Sequence, residues 1–532
     1  MADGSCRPDS YRSELTGWLL DLYPDPRDGL TLWLLEDPGS PDCAPQARRL
    51  RQSFPLTFYA AGPSERLRQL WKYLRARPIK LELAREQRRE LFQPEPLDVL
   101  SIRVAHPVQQ LPLFSQLTDL FPDLEYYDAD LPLALRYSAR YGAFPLARMR
   151  LEIDAEENVT AVETLDSPWE LDPVRPLLRE MTIEPDCDPR HASPTSLTIR
   201  CDRHRYRLSL HHSRPLLVNL RALLERHDPD LLLTAWGDTW LLPYLLDLSE
   251  QLGLPLPLNR DSRRSARRKA ERSYFAYGQV IHRGQQVQLY GRWHIDVHNA
   301  MMFHDYGLEG AFETARLTGQ PMQDAARLSP GSGISAMQVI TALRWGVLVP
   351  WRKAQPEANR GALDLIHADQ GGLVYQPTIG LHAHVAEIDF ISMYPSIMAN
   401  FNVSPETVCP PPSEPDPTTD HFYLPETTGS LPAHVIPHKS ADPETAPYYP
   451  PITHTPYPLR VPELDLWIDQ NLTGLVSETL RPLLEKRIKL KERLGEIPSW
   501  HPDRKRYKAC AASQKWLLVT CFGYLGYKNA RF

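Results

Sequence analysis

The chain has 532 residues, 42% of them hydrophobic and 24% charged, which is enough for three or four domains with buried cores. No run of about 18 uncharged apolar residues occurs, and Met1-Ala2-Asp3-Gly4-Ser5 lacks a basic region followed by an apolar one; the expectation is a cytoplasmic protein with no membrane span and no signal peptide. Its seven cysteines include no C-x-x-C pair, which argues against a zinc site and a disulfide framework.

Residues 1–170 alternate apolar runs (30–35, 99–104) with helical stretches such as 65–75, and read as a mixed α/β domain without chemistry. Residues 171–335 form a second α/β region, with strands expected at 196–200, 206–211, 231–235 and 286–297 and a helix at 241–252, the pattern of a nuclease-type domain. The net charge of −6 is segregated: Arg263, Arg264, Arg267, Arg268 and Lys269 cluster here, a second basic stretch runs over 481–508, and 406–463 is acidic. By itself a charge run is an ordinary solvated face. After Gly331-Ser332-Gly333, a helical pattern (Ala336, Val339, Ile340, Leu343) leads into a third region, 336–475, where 385–390 reads as a strand and Tyr394-Pro395 opens a helix. Fifteen prolines between 405 and 458 exclude regular elements there. Residues 476–532 return to helical periodicity in two segments broken by Gly495, Pro498 and Pro502, a helical hairpin.

Chemistry concentrates in Asp389-Phe390-Ile391-Ser392-Met393-Tyr394-Pro395-Ser396-Ile397, where a carboxylate stands at the end of an apolar strand. Alternation puts Val385, Glu387 and Asp389 on one face, so one face packs while the other can bind a cation. An isolated aspartate there would be a turn-former or a helix cap. The stretch resembles motif A of family B DNA polymerases, D-x-x-S-L-Y-P-S-I, departing only at Met393. The resemblance implies Asp389 as a ligand of two Mg²⁺ ions with the Phe390 carbonyl beside it. It further implies Ser392 and Met393 near the triphosphate, and Tyr394 under the sugar of the incoming dNTP, excluding a 2′-hydroxyl by bulk.

In the hairpin, Arg487 and Lys491 lie four apart on one helix, and Lys515, Val519 and Phe522 form a stripe on the next. A guanidinium fork and point-charge ammonium groups suit a polyphosphate, although the same residues alone are plain surface charges. The run Lys515 to Tyr527 is similar to motif B, K-x-x-x-N-S-x-Y-G-x-x-G: Lys515, Gly523 and Gly526 match, while Val519, Thr520 and Phe522 replace asparagine, serine and tyrosine. What this implies is a set of triphosphate contacts from Arg487, Lys491 and Lys515, with Phe522 packing on the nascent base pair. Gly371-Gly372 falls where the family has Y-x-G-G, an element that contacts template DNA, without its tyrosine.

Laid over the family's exonuclease motifs, Met181-Thr182-Ile183-Glu184 has threonine where an aspartate is expected, and Trp236-Gly237-Asp238-Thr239-Trp240-Leu241 has Leu241 at a second aspartate position. The third motif's stretch, 325–351, contains no acid. The expected fold is therefore α/β multidomain: an N-terminal domain (1–170), a ribonuclease H-like exonuclease-type domain that has lost its metal ligands (171–335), a partial palm (336–475) and helical-hairpin fingers (476–532). This resembles the archaeal and bacterial branch of family B with a degenerate exonuclease. No Tyr-x-Asp-Thr-Asp motif occurs, so the implied function is Mg²⁺-dependent extension of primer-template DNA with dNTPs as the front part of a split or truncated polymerase. A second chain would supply motif C and the thumb. A non-catalytic DNA-binding or scaffold relative is the alternative.

Overall fold

A computed structural model describes residues 13–27, 29–40, 43–93, 95–276, 279–353, 361–368, 375–386, 390, 392–409, 458–462, 464 and 466–525. The chain divides into two compact units, residues 1–355 with 485–532, and residues 356–484.

In the first unit, β1 (Ser13–Pro24), β2 (Leu30–Glu36) and β3 (Gln46–Gln52) begin an antiparallel sheet. Both β1 and β2 read as nearly continuous apolar runs because both their faces are covered. Leu15, Leu19, Leu30, Leu32 and Leu34 enter one core, while Trp18, Leu20, Tyr23, Trp33 and Leu35 enter another. Next come β4 (Leu56–Ala61), α1 (Ser64–Arg75), β5 (Leu81–Glu90), β6 (Leu97–Val104), α2 (Pro107–Leu120) and β7 (Glu125–Tyr127), a split βαβ array in the order β5-β6-β4-β7. Phe58, Ile102 and Val104 on its inner face pack on Leu70, Leu74, Leu113 and Leu117 of the helices. A short helix, α3 (Leu133–Tyr141), closes on Gly142 in the left-handed conformation (φ 69°), and β8 (Arg148–Ile153) and β9 (Val159–Thr164) complete the first sheet as β3-β2-β1-β8-β9.

The nuclease-type region is built on β10 (Glu180–Pro185), β11 (Ser196–Cys201), β12 (His204–Ser209), α4 (Ser213–His227), β13 (Leu231–Thr234) and α5 (Leu242–Leu252). Short strands follow: β14 (Arg267–Lys269), β15 (Arg272–Ala276), β16 (Gln279–Arg283), β17 (Gln286–Gln288) and β18 (Trp293–Asp296). The main sheet runs β12-β11-β10-β13-β18, with β10, β13 and β18 parallel and β11 and β12 antiparallel. Met181, Ile183, Leu197 and Ile199 face the leucines of α4 and α5. The single strand expected over 286–297 is two strands, because the chain turns at Gly291 (φ 76°), where an added Cβ would lie 2.6 Å from the Trp33 ring. The carboxylate of Asp21 on β1 also accepts the Gly291 amide at 2.9 Å.

α6 (Phe303–Thr318), α7 (Met322–Ala325), α8 (Pro330–Trp345) and β19 (Val347–Leu348) follow, with β19 pairing on β5. Gly331-Ser332-Gly333 does not precede α8 as the pattern suggested; it is the helix's first turn, entered through Pro330. Tertiary contact overrides glycine's low helix propensity there, since a Cβ on Gly333 would come within 2.9 Å of Thr318 and 2.8 Å of Leu517.

The second unit contains α9 (Ala362–Ala368), α10 (Met393–Asn400), the small sheet of β20 (Val408–Cys409), β21 (Leu459–Arg460) and β22 (Trp467–Ile468), and the beginning of α11 (Leu475–Glu496). The rest of α11 and α12 (Arg504–Leu525) belong to the first unit and form the expected helical hairpin.

Candidate active site

Asp389, Gly371 and Gly372 lie outside the described residues, as do residues 387 and 388 of the strand expected over 385–390. Just beyond, Ser392 sits at φ 49° and its carbonyl accepts the Ser396 amide at 2.9 Å, starting α10. Pro395 lies in the first turn of that helix, as the sequence predicts. Pro395, Met398 and Ala399 are buried, whereas Phe390, Met393 and Tyr394 (53% exposed) face outward. Two side chains of α11 hold the end of α10: Ser477 donates to the Met398 carbonyl at 2.8 Å and Arg481 to the Ala399 carbonyl at 3.0 Å. A cation at those orphan carbonyls is where the helix dipole favours one. Asn402 (φ 59°) accepts the Gly474 amide at 2.8 Å, and Glu406 accepts the Leu475 amide at 2.5 Å, so the loop after α10 caps the start of α11.

In the hairpin, α12 is divided lengthwise. Gln514, Leu517, Leu518 and Cys521 are buried, while Lys515, Val519 and Phe522 (55%) are exposed along the other side. Lys491 is exposed on α11, but its neighbour one turn earlier is not: Arg487 is 8% exposed and donates from Nη1 to the Ala511 carbonyl at 2.6 Å. The two residues share a helical side, yet α12 covers one of them. Sequence spacing did not single out Lys486, which is 4% exposed, pairs with Glu313 of α6 at 2.6 Å and donates to the Pro168 carbonyl at 2.8 Å. Burial pushes the Lys486 ammonium pKa down against the pull of Glu313. Gln514 of α12 donates to the same Glu313 oxygen at 2.7 Å, so both helices of the hairpin are tied to α6 through one buried carboxylate.

The nuclease-type region carries the densest polar network. Asp238 is fully buried and receives the Arg327 fork at 2.8 and 3.0 Å, the Val287 amide at 2.8 Å and Asn299 at 2.8 Å. That occupies all four lone-pair directions of the carboxylate. Burial alone would raise its pKa, but the Arg327 charge and hydrogen bonds outweigh it and hold the group below its usual range. His294 is 0% exposed; its Nδ1 lies 2.7 Å from the Val287 carbonyl and must donate to it, leaving Nε2 to accept from Thr234 at 2.8 Å. Burial pushes the His294 pKa down to about 4, so the imidazole is neutral and its 3.5 Å approach to Asp238 is not an ion pair. Asp296 accepts the Asp238 and His298 amides, both at 3.0 Å.

Two other acids of the region are also engaged. Glu184 pairs with Arg200 at 2.7 Å, and Asp186 accepts from Thr195 and Ser196, which hold its pKa down at about 2. The half-buried Thr182 has its hydroxyl buried and unpartnered, and Leu241 lies in the core under α4 and α5. Between β13 and α5, residues Gly237–Leu241 form a single π-turn preceded by Trp236 at φ 53°, a conformation that costs a bulky residue about 1–3 kcal/mol. Among the described residues, no group of three or more His, Cys, Asp or Glu side chains stands where it could hold a metal ion. The donors in the nuclease-type region therefore do not fit a two-metal centre, which needs several carboxylates converging on one point. No helix among the described residues is long and apolar enough to cross a membrane.

Residues 338–532 match the sequence model of DNA polymerase family B. DNA polymerase 1 of Pyrococcus abyssi is 23% identical over 384 residues, covering 61% of this chain and 46% of that protein. The Archaeoglobus fulgidus DNA polymerase is 22% identical over 379 residues, covering 60% and 39%, and DNA polymerase 2 of Saccharolobus solfataricus is 25% identical over 224 residues, covering 42% and 26%. The chain thus spans less than half the length of these relatives. The family B DNA polymerase structure from Pyrobaculum calidifontis superposes with a TM-score of 0.62 over 97% of this chain and 69% of its own, at 17% identity. Residues 338–532, which contain both polymerase-like motifs, are thus similar to DNA polymerase family B, and the solved structure shares the α/β multidomain fold.

Proposed function

We propose that the chain supplies the dNTP-binding part of a DNA-templated nucleotidyl transfer site. The observation that carries this reading is the family match over 338–532, within which Lys515, Val519 and Phe522 stand exposed along one side of α12 with the motif B spacing. In this reading residues 336–475 are a partial palm and 476–532 the fingers. Asp389 and the Phe390 carbonyl would hold Mg²⁺, which when bound supplies Lewis-acid stabilisation of phosphate charge. Lys491 and Lys515 neutralise the triphosphate, Ser392 and Met393 line its approach, Tyr394 excludes the ribonucleotide 2′-hydroxyl, and Phe522 offers an apolar face to the base pair. Arg487 acts from behind by joining the two helices. Gly371 and Gly372 let template backbone approach closely.

Two-metal transfer requires a second carboxylate beside Asp389, which in our reading a second chain supplies. The nuclease-type region binds DNA without cutting it, because its acids are held by Arg327, Arg200 and neighbouring hydroxyl and amide groups. The test is Mg²⁺-dependent dNTP binding by the purified chain. Lys515→Ala should weaken it about tenfold or more, as loss of a charge-assisted contact does. Equal affinity in the parent and the variant would refute the assignment. Primer extension, once that chain is supplied, should vanish in Asp389→Ala, and Tyr394→Ala should admit ribonucleotides. An extension-competent Asp389→Ala would refute the motif A reading, and failure of every such mixture to extend would favour a non-catalytic scaffold.

A further inference from the structure

A cavity of about 390 Å³ opens between the β5-β6-β4-β7 array, α3 and the turn that joins α8 to β19. That is a size that takes small organic ligands. None of its lining residues belongs to motif A, to the hairpin or to the network around Asp238. Part of the lining is apolar and flat: Phe54, Leu56, Tyr59 and Leu348 are all buried there.

Four arginines line the same cavity. Arg136 and Arg140 stand one turn apart on α3, Arg344 is in the last turn of α8, and Arg88 lies near the end of β5. A Cβ on Gly346, the residue that caps α8 at φ 69°, would have Arg88 Nη1 3.7 Å away, so Arg88 reaches across the cavity to the end of that helix. Acids do not balance this charge. Asp128 lines the cavity but is 6% exposed, and its Oδ1 accepts the Val349 amide at 2.9 Å. Glu86 pairs with Arg88 at 2.6 Å. Arg136 donates to the Thr57 and Asp128 carbonyls, and its Nε is buried without a partner. Arg140 lies 5.4 Å over the Phe54 ring and 5.2 Å over the Tyr141 ring, and makes no ion pair among the described residues. Arg344 reaches only the Ser138 carbonyl, at 3.4 Å; desolvation pushes its pKa down and no carboxylate opposes that. Cations gathered in a concavity repel one another and lose hydration, and packing gains nothing from the arrangement. Guanidinium forks beside a flat apolar wall suit a ligand that joins a multiply charged oxyanion to an apolar body.

We infer that this cavity binds a free nucleoside phosphate. Arg88, Arg140 and Arg344 hold its phosphate oxygens, and its base and sugar lie against the wall of Phe54, Leu56 and Tyr59. Arg136 shapes the site by holding the Thr57 and Asp128 carbonyls. The inference rests on this cavity alone and not on the polymerase reading.

The experiment is calorimetric titration of the full chain, in EDTA, with each of the common nucleoside 5′-diphosphates, with inorganic diphosphate and with sulfate. At least one nucleoside diphosphate should bind, about tenfold or more tighter than either inorganic anion. Arg140→Met and Arg344→Met should each weaken that binding about tenfold or more, as loss of a charge-assisted contact does. Both variants should keep the parent melting temperature without ligand, since neither arginine has an ion pair to lose. Ala139→Phe keeps every charge but fills the cavity, and should abolish binding. Lys515→Ala tests the polymerase reading instead and should leave this binding unchanged. No binding of any nucleoside diphosphate, equal affinity for an inorganic anion, or unchanged affinity in the two arginine variants and Ala139→Phe would each overturn the proposal. Binding that is lost in Lys515→Ala and kept in the arginine variants would place the ligand on the hairpin and overturn it as well.

Discussion

At the scale of the residue, the character of the nuclease-type region turns on what Asp238 touches. Its carboxylate accepts the Arg327 fork, so the charge that could have met a metal ion meets a guanidinium instead. Arg327→Met should destabilise the protein by about 3–5 kcal/mol, because it strands a buried charge, and should restore no Mg²⁺-dependent nuclease activity; urea unfolding and an oligonucleotide digestion assay check both outcomes. His294 gives a pH signature. Its folded pKa of about 4 lies below the unfolded value of 6.5, so the unfolded chain binds the extra proton between those limits. Stability is therefore full above pH 6.5 and is lost as pH falls toward 4, by about 3 kcal/mol for this group. His294→Gln should flatten that part of the stability curve; a slope unchanged over pH 4–6.5 would show that another group titrates there. Asp238 was readable as a carboxylate in a suggestive motif, but Arg327, eighty-nine positions away in sequence, could not be named as its partner.

At the scale of the element, the hairpin shows how a local pattern divides. The buried and exposed sides of α12 follow its apolar spacing, and the stripe of Lys515, Val519 and Phe522 stays outside. Helical spacing also grouped Arg487 with Lys491, which tertiary packing separates, and it did not single out Lys486. In fact the Lys486–Glu313 pair anchors α11 to α6, with Gln514 adding α12. Lys486→Met should cost about 3–5 kcal/mol, and the double change with Glu313→Leu should recover most of that loss, since removing both charges leaves none unpaired. Additive losses in a double-mutant cycle would show that the two groups are not coupled. Close to the Trp236 turn, a Cβ at Gly237 would fall 1.8 Å from the Thr234 hydroxyl and 2.5 Å from His294 Nε2. Gly237→Ala should accordingly destabilise by about 1–3 kcal/mol, measured by melting temperature, as overpacking does.

At the scale of the whole molecule, a chain of net charge −6 is proposed to bind a polyanion, which requires that the contacts be local. Affinity for dNTP should then fall with added salt, and neutralising Lys491 and Lys515 together should weaken that salt dependence. A salt dependence unaffected by both substitutions would place the triphosphate contacts elsewhere. The mixed α/β character, that of the first region included, and the terminal helical hairpin were readable from periodicity, because burial on one face or on both writes itself into the spacing of apolar residues. Motif spacing also pointed to the family whose model residues 338–532 match, since several residue types at fixed intervals are far more specific than any one of them. Tertiary structure alone decided that residues 286–297 turn at Gly291 against Trp33, that Gly331 and Gly333 lie inside a helix, and that Arg487 and Lys486 are buried. Each of these depends on a neighbour distant in sequence, and local spacing carries no record of which distant side chain will arrive to cover, pair with or crowd a given position.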